Sequence, residues 1–449
     1  MTRRALLAVS ALALTLAACS KPHFSPDKQY GANVPLPDPV QYLFPPMGIA
    51  KPIGWKGGAM PKVPAGFTVV PFASGLHTPR RVLPLPNGDV LVVETDNPGY
   101  EPTLRPKDVV FNLVIGQAHG PTKAANDVLL LRDTNGDGKA DQRSVLIPKL
   151  NSAFGSSVSG GKLYVAEADA IKEWDFTPGQ TSVSGPGRLV TELPGGPIDH
   201  HWTKDIVVSP DGTKLYAGVG SNSNIVERGL EAEKGRARIL EVELPSGATR
   251  PFATGMRNPN GLTFNPQTGQ LWAVVNERDE LGNNIVPDYL TSVKDGAFYG
   301  WPWSYYGAHV DVRVRPTRTD KVKSAIAPDY SLSSHVAPLG LAFAPANWPA
   351  PYAGGAFIGE HGSWDRTVFN GYEVSFVPFS GGRPSGAKQH FATGFIDGKQ
   401  AHGRPVGVAF GADGALYVAD DVGNVVWRIA PSAAVSSFSM KPAGSVQSP

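Results

Sequence analysis

Cysteine is almost missing from this chain: Cys19 is the only one in 449 residues. No intramolecular disulfide can form, and no Cys-x-x-Cys-His is available to attach a haem. Net charge is nearly absent too, with 41 Lys and Arg against 39 Asp and Glu. A chain so balanced has no electrostatic case for nucleic acid, which needs a basic face. The N-terminal apolar run, Ala5 to Leu16, is too short to cross a bilayer. Amphipathic helical periodicity is scarce. No Gly-x-Ser-x-Gly elbow, no His-Glu-x-x-His and no Gly-x-Gly-x-x-Gly after a strand stands out, so a redox function would require a cofactor other than a nicotinamide nucleotide.

What is abundant is punctuation. The 51 glycines and 42 prolines are spread between apolar runs, and 41% of residues are hydrophobic. That is the composition of a large core crossed by many tight turns. At the N-terminus, Arg3-Arg4, the apolar run and Leu16-Ala17-Ala18-Cys19 resemble a bacterial lipoprotein signal, in which the Cys19 sulfur is acylated and becomes the new N-terminus. The organisation expected is a signal peptide over 1–18, a proline-rich tether over 19–60, one domain over 61–432 and a flexible tail over 433–449. The resemblance implies a protein held at a bacterial membrane by lipid alone and facing the periplasm.

Within the domain a unit recurs: an apolar strand, a Pro/Asn/Asp-Gly turn and a second strand. Clear copies run from Val82 to Glu94, from Ile206 to Tyr216, from Gly261 to Val275 and from Val406 to Ala419. Weaker ones start near Phe154 and Leu339. Six hairpins with outer strands after several of them predict an all-β, six-bladed β-propeller. Phe67 to Phe72 is placed to pair with Val425 to Ile429 and close the ring.

The chemistry concentrates ahead of these hairpins. His201 lies nine residues before Pro210, and an unperturbed imidazole suits proton abstraction near neutral pH. Gly255-Met256-Arg257-Asn258-Pro259-Asn260-Gly261 sets a guanidinium and an amide before a turn. Asn276-Glu277-Arg278-Asp279 ends the next strand, and Phe298-Tyr299-Gly300-Trp301-Pro302 follows. Arg404 precedes Asp413 by nine residues; Arg366 sits in His361-Gly362-Ser363-Trp364-Asp365-Arg366, and Asn151 opens another hairpin. Tyr299, Trp301, Trp303 and Tyr305 are candidate walls of a substrate mouth. Asp133 to Asp141 carries oxygens at EF-hand positions 1, 3, 5 and 9 with Gly138 at position 6, but Ser144 stands at position 12.

These motifs, from about Phe67 to Ile429, resemble the quinoprotein sugar dehydrogenases of the glucose/sorbosone type, which use pyrroloquinoline quinone (PQQ) and calcium. The Asn-Glu-Arg-Asp loop is closer to the sorbosone-type branch. The resemblance implies oxidation of an aldose or sugar aldehyde, with His201 as base, a hydride passing to the quinone C5, and Arg257 and calcium steadying the charge that develops. It assigns Arg257, Asn258, Asn151, Arg366 and Arg404 to the cofactor, and the Arg278–Asp279 loop to calcium through carbonyls or the Asp279 side chain. A separate acceptor, a cytochrome or a quinone, would take the electrons. Two readings compete with it: a propeller that binds sugar without redox chemistry, and a metal-dependent lactonase-type hydrolase with Glu94, Glu277 and Asn222 converging on an axial metal.

Overall fold

The computed structural model describes residues 25–40, 47–99, 109 and 122–432. Cys19, the expected signal segment and the expected C-terminal tail lie outside the described residues. Five antiparallel sheets of four strands and one of five account for most of the fold among the described residues. Blade 1 comprises Pro79–Pro84, Val90–Glu94, Asp127–Arg132 and Gln142–Ile147, and blade 2 comprises Ser156–Ser159, Lys162–Ala166, Ala170–Asp175 and Arg188–Glu192. Blade 3 comprises Ile206–Val208, Lys214–Val219, Arg238–Glu243 and Thr249–Thr254; blade 4, Asn258–Phe264, Leu271–Asn276, Pro287–Ser292 and Tyr330–Ser334. Blade 5 comprises Pro338–Phe343, Ala356–Glu360, Glu373–Val377 and Gln389–Ala392. Blade 6 is made of Pro405–Phe410, Leu416–Asp420 and Val425–Pro431, with Phe67–Ser74 from the other end of the chain as its outer strand. That last pairing joins Val69 to Ile429 and Ser74 to Val425, and it closes the ring as the sequence predicts.

The first strands of successive blades touch in cyclic order around a central axis, blade 6 against blade 1 included. The chain is a six-bladed β-propeller. An apolar layer fills each of the six junctions between blades. The layer between blades 5 and 6 is aromatic: Phe357 is fully buried and meets Phe391, Phe376 and Trp348 at ring-centroid distances of 4.7, 5.0 and 5.1 Å. In each blade the start of the first strand pairs with the end of the second, as in Pro79 with Glu94, Asn258 with Asn276, Pro338 with Glu360 and Pro405 with Asp420. The loops leading into first strands and those joining second to third strands therefore emerge together on one face.

The expected tether departs from the sequence reading. Its described part packs on the propeller: Tyr30–Gly31 adds a fifth strand to blade 4, and Lys51–Pro52 pairs in parallel with Gln400–Ala401. Gln29 is fully buried, donating from Nε2 to Asn284 O at 2.7 Å and accepting from the Ser334 hydroxyl at 3.1 Å. Such specific polar contacts turn a proline-rich segment into part of the domain.

Truncating Phe357 to alanine leaves a cavity in the blade 5–6 layer and is expected to cost about 3–5 kcal/mol of stability. Urea unfolding of Phe357→Ala beside the parent protein checks this.

Candidate functional site

Each blade brings a polar residue to this face from the opening of its first strand or the loop leading into it: Arg80, Asn151, His201, Arg257 with Asn258, His335 and Arg404, for blades 1 to 6. Loops between second and third strands add Ser221 and Asn222, Glu277 to Asp279, His361, and Asp420 with Asp421.

His201 is half-buried, and its Nδ1 lies 2.9 Å from both the carbonyl and the hydroxyl oxygen of Ser221. The carbonyl can only accept, so Nδ1 carries the proton and Nε2 is left as an acceptor. Burial, then the positive charge of Arg257, then His200 hold the imidazole well below its ordinary pKa. It is neutral across the physiological range. The loop carrying it is anchored by a fully buried network. Lys204 donates to both Asp199 oxygens at 3.1 Å and to Trp202 O at 2.8 Å, while Arg236 donates to Asp199 at 2.6 Å. On its other side a glycine admits the imidazole and the amide together: a Cβ at Gly220 would stand 2.4 Å from His201 Cβ and 2.6 Å from Asn258 Oδ1.

Arg257 is buried and donates to Glu277 O at 2.7 Å, Asn224 Oδ1 at 3.1 Å and Asp279 Oδ2 at 2.8 Å. Its Nε has no partner among the described residues, and the same holds for the buried Nε atoms of Arg80 and Arg404. Arg404 takes its place from Asp420, which accepts its backbone N–H at 2.8 Å, and from Tyr372, whose hydroxyl accepts from Nη2 at 3.0 Å. Arg80 pairs with Asp421 at 3.1 Å, and His361 donates from Nε2 to the same carboxylate oxygen at 2.8 Å. Burial pushes the Asp421 pKa up, but His361 and Arg80 outweigh it and hold the carboxyl at about 2. Arg80 also stands over the Trp202 ring, 5.5 Å from its centroid, linking this group to the His201 loop. Arg80, His361 and Asp421 were not singled out from the sequence. The signal for Arg80 was available, since Thr78-Pro79-Arg80-Arg81 leads into the first hairpin much as Gly403-Arg404-Pro405 leads into the last.

Asn151 stands at the blade 2 lead-in, its N–H donating to Glu167 at 3.0 Å and its side-chain amide forming no hydrogen bond among the described residues. Arg366 does not face this group. It is fully buried, with its guanidinium committed to Val368 O, Ser334 O and Asn284 Oδ1 at 3.1–3.4 Å. The expected aromatic mouth is likewise drawn inward: Tyr299 donates its hydroxyl to Ser292 O at 2.7 Å, and Trp301 donates its Nε1–H to Asn224 O at 3.0 Å.

The fit to the two expected cofactors differs. Buried Arg257 and Arg404 and half-buried Arg80, each with an unpartnered Nε–H, together with the Asn258 amide, suit a planar group rich in carboxylates and carbonyls. A calcium ion held by Arg278 and Asp279 does not fit the donors as they are arranged. The Asp279 carbonyl already accepts from Arg278 Nε and Nη2 and from Asn224 Nδ2, at 2.8–3.1 Å. The Asp279 side chain pairs with Arg257 and faces His335 Nδ1 at 3.2 Å, while Arg278 is locked to Asp311. Asp279, His335 and Asp365 bring their ligand atoms within 4.8 Å of one another. His335, however, points both nitrogens at acceptors, Asp279 Oδ1 and Gly282 O. Burial lowers its pKa, but Asp279 and Asp365 more than restore it. Both His335 nitrogens thus face acceptors, and burial pushes the nearby Asp365 carboxyl up to about 7. In the Asp133 loop the first carboxylate accepts from the N–H groups of Asn135, Gly136 and Gly138, as an acidic turn does.

The family described as TrAA12-like matches residues 113–291 and 307–432. The chain belongs to the TrAA12-like family. Among curated relatives, an uncharacterized protein of Borreliella burgdorferi is 30% identical over 252 residues, which are 54% of this chain and 64% of the relative. The pyrroloquinoline quinone-dependent pyranose dehydrogenase of Coprinopsis cinerea is 24% identical over 427 residues, covering 81% of this chain and 54% of the relative. The chain thus spans less than two thirds of the length of either. The holo form of the PQQ domain of the C. cinerea pyranose dehydrogenase superposes with a TM-score of 0.66 at 21% identity, over 85% of this chain and 99% of that one. At that identity the likeness speaks to the propeller.

Glu277 offers a test of the electrostatics. It is buried, and burial drives its carboxyl up to about 8. A folded-state pKa above the unfolded value contributes stability that is complete below about pH 4.5 and lost as pH rises toward 8. Glu277→Gln removes that loss. Unfolding free energies measured from pH 4.5 to 8 are expected to shift in the variant's favour by roughly 1–3 kcal/mol across the window.

Proposed function

We propose that this protein is a PQQ-dependent sugar dehydrogenase, oxidising the C1 hydroxyl of an aldose or the hydrated aldehyde of a sugar such as sorbosone. The observation that carries the reading is His201, its imidazole beside Arg257, on a face that also gathers Arg80 and Arg404, three arginines whose Nε–H groups lack partners. The family and the named C. cinerea relative support it. Bound PQQ supplies an orthoquinone that accepts the hydride leaving the sugar carbon.

The chain's own groups do the rest. Arg80, Arg257 and Arg404 hold carboxylate and carbonyl oxygens of the cofactor, and Asn258 and Asn151 offer it planar amides. His201 Nε2 takes the proton of the reacting hydroxyl. Burial and the charge of Arg257 favour the basic form of the imidazole, and hydride departure makes the hydroxyl a far stronger acid. The Ser221 carbonyl fixes the tautomer, and the Lys204–Asp199–Arg236 network holds the loop, so orientation is set before substrate arrives. No step is assigned to calcium.

Electrons would pass to a separate cytochrome or quinone. We place the protein at a bacterial membrane, facing the periplasm and anchored through acylated Cys19. Among the described residues no helix is long and apolar enough to cross a membrane.

Dye reduction across a panel of aldoses and sugar aldehydes, with and without PQQ and calcium, tests the reading; it falls if PQQ supports turnover of none of them. His201→Ala is expected to lower kcat by about 10²–10⁴ with PQQ affinity kept. Arg404→Gln is expected to weaken PQQ binding about 10- to 100-fold, read from quenching of tryptophan fluorescence.

A further inference from the structure

Behind the wall that carries Ser221 lies a second recess. It has a volume of about 320 Å³ and sits between the top of blade 3 and the 293–329 segment of blade 4. Its lining includes Glu233, Arg238, Phe298, Trp301, Trp303 and Lys321. The size is at the lower end of the ~300–1,000 Å³ typical of small-molecule sites, room for a small ring compound rather than a polymer.

The charges here are unbalanced. Arg238 donates from Nε to Arg236 O at 3.2 Å, and among the described residues it pairs with no carboxylate; burial alone bears on its pKa. Lys321 stands over the Phe298 ring at 5.5 Å, likewise without a carboxylate partner among the described residues. Glu233, the acid in the lining, is already engaged by the Asn222 N–H and the Ser223 hydroxyl on the far side of the wall. Trp303 Nε1–H is buried with no acceptor. Two cations without a carboxylate partner and one buried N–H without an acceptor thus surround a space walled by aromatic rings.

We infer that this recess binds a carboxylate-bearing pyranose, a uronic acid unit. The carboxylate pairs with Arg238 and Lys321, and the C–H faces of the ring pack on Trp303 and Phe298. A neutral sugar would leave both cations unpaired, and a simple phosphate would leave the aromatic walls without a role. The recess shares a wall with the reaction site. Glu233 holds residues 222 and 223, whose neighbour Ser221 fixes His201, and Trp301 holds Asn224, which accepts from Arg257.

Calorimetric titration of the full chain, without cofactor, against galacturonate, galactose and inorganic phosphate tests this independently of any redox activity. Galacturonate is expected to bind at least tenfold more tightly than either alternative, and Arg238→Gln to weaken it about tenfold or more. Arg238 forms no ion pair, so the variant should melt with the parent; if it does not fold, Lys321→Gln at the rim gives the same reading. Equal affinity for galactose, equal affinity for phosphate, or galacturonate binding unchanged in the variants would each overturn the proposal.

Discussion

The structure depends on how closely its inner strands approach one another around the axis. A Cβ on Gly340 would stand 2.3 Å from Val406 O, and one on Gly155 would lie 2.5 Å from both Lys204 O and Ile206 N. Backbone therefore packs on backbone across the junctions between blades 5 and 6 and between blades 2 and 3, a spacing that any side chain would break. One ion pair reaches further: Arg81 of blade 1 meets fully buried Asp205, which also accepts the Leu262 N–H of blade 4 at 2.8 Å. With the inner strands fixed to within an atom's width, the loops leading into them have little freedom. Side chains separated by more than 300 residues in sequence then converge on one face.

Convergence of so many cations needs compensation, and its form shapes the chemistry. Arg257 is held by Asp279, Asp279 also faces His335, and Arg80 and His361 share Asp421. In each group one carboxylate holds two cationic or polar hydrogen-bearing partners and leaves the guanidinium Nε free. The site is thereby positively biased yet stable in the absence of a ligand. The same positive field, added to burial, keeps His201 from being protonated. One arrangement thus makes the pocket attractive to anions and its imidazole a resting base.

The repeat was legible because hairpin turns have a local chemistry. Asn87-Gly88, Asp211-Gly212 and Asp413-Gly414 all place glycine at positive φ, and the strands follow from the turns. His201, Arg257 and Arg404 were legible because they stand a fixed distance ahead of such turns. Arg366 shows the limit of that logic. It follows a second strand, in a loop whose path is set by tertiary packing, and nothing local says that its guanidinium will turn into Ser334 and Val368 carbonyls. Asp421 and His361 were invisible for a related reason: each gains meaning only from partners in another blade.

The N-terminal segment carries the strongest case of composition misleading. Proline-rich sequence reads as a tether whether or not it docks, because docking rests on single residues. Trp55 is one of them. Its indole donates to Asp420 Oδ2 at 2.7 Å, and Trp427 donates to the same oxygen at 3.1 Å, while the other oxygen accepts the N–H groups of Arg404 and Gly423. Burial holds the Asp420 carboxyl up at about 6 even with these four donors. A buried carboxylate with fewer donors would be harder still to keep ionised, and its grip on the Arg404 backbone would weaken. The segment whose composition reads as a tether therefore completes the support of one of the site arginines. Any separation of tether from catalytic unit must be drawn before residue 29, where Gln29 enters blade 4, rather than at residue 60.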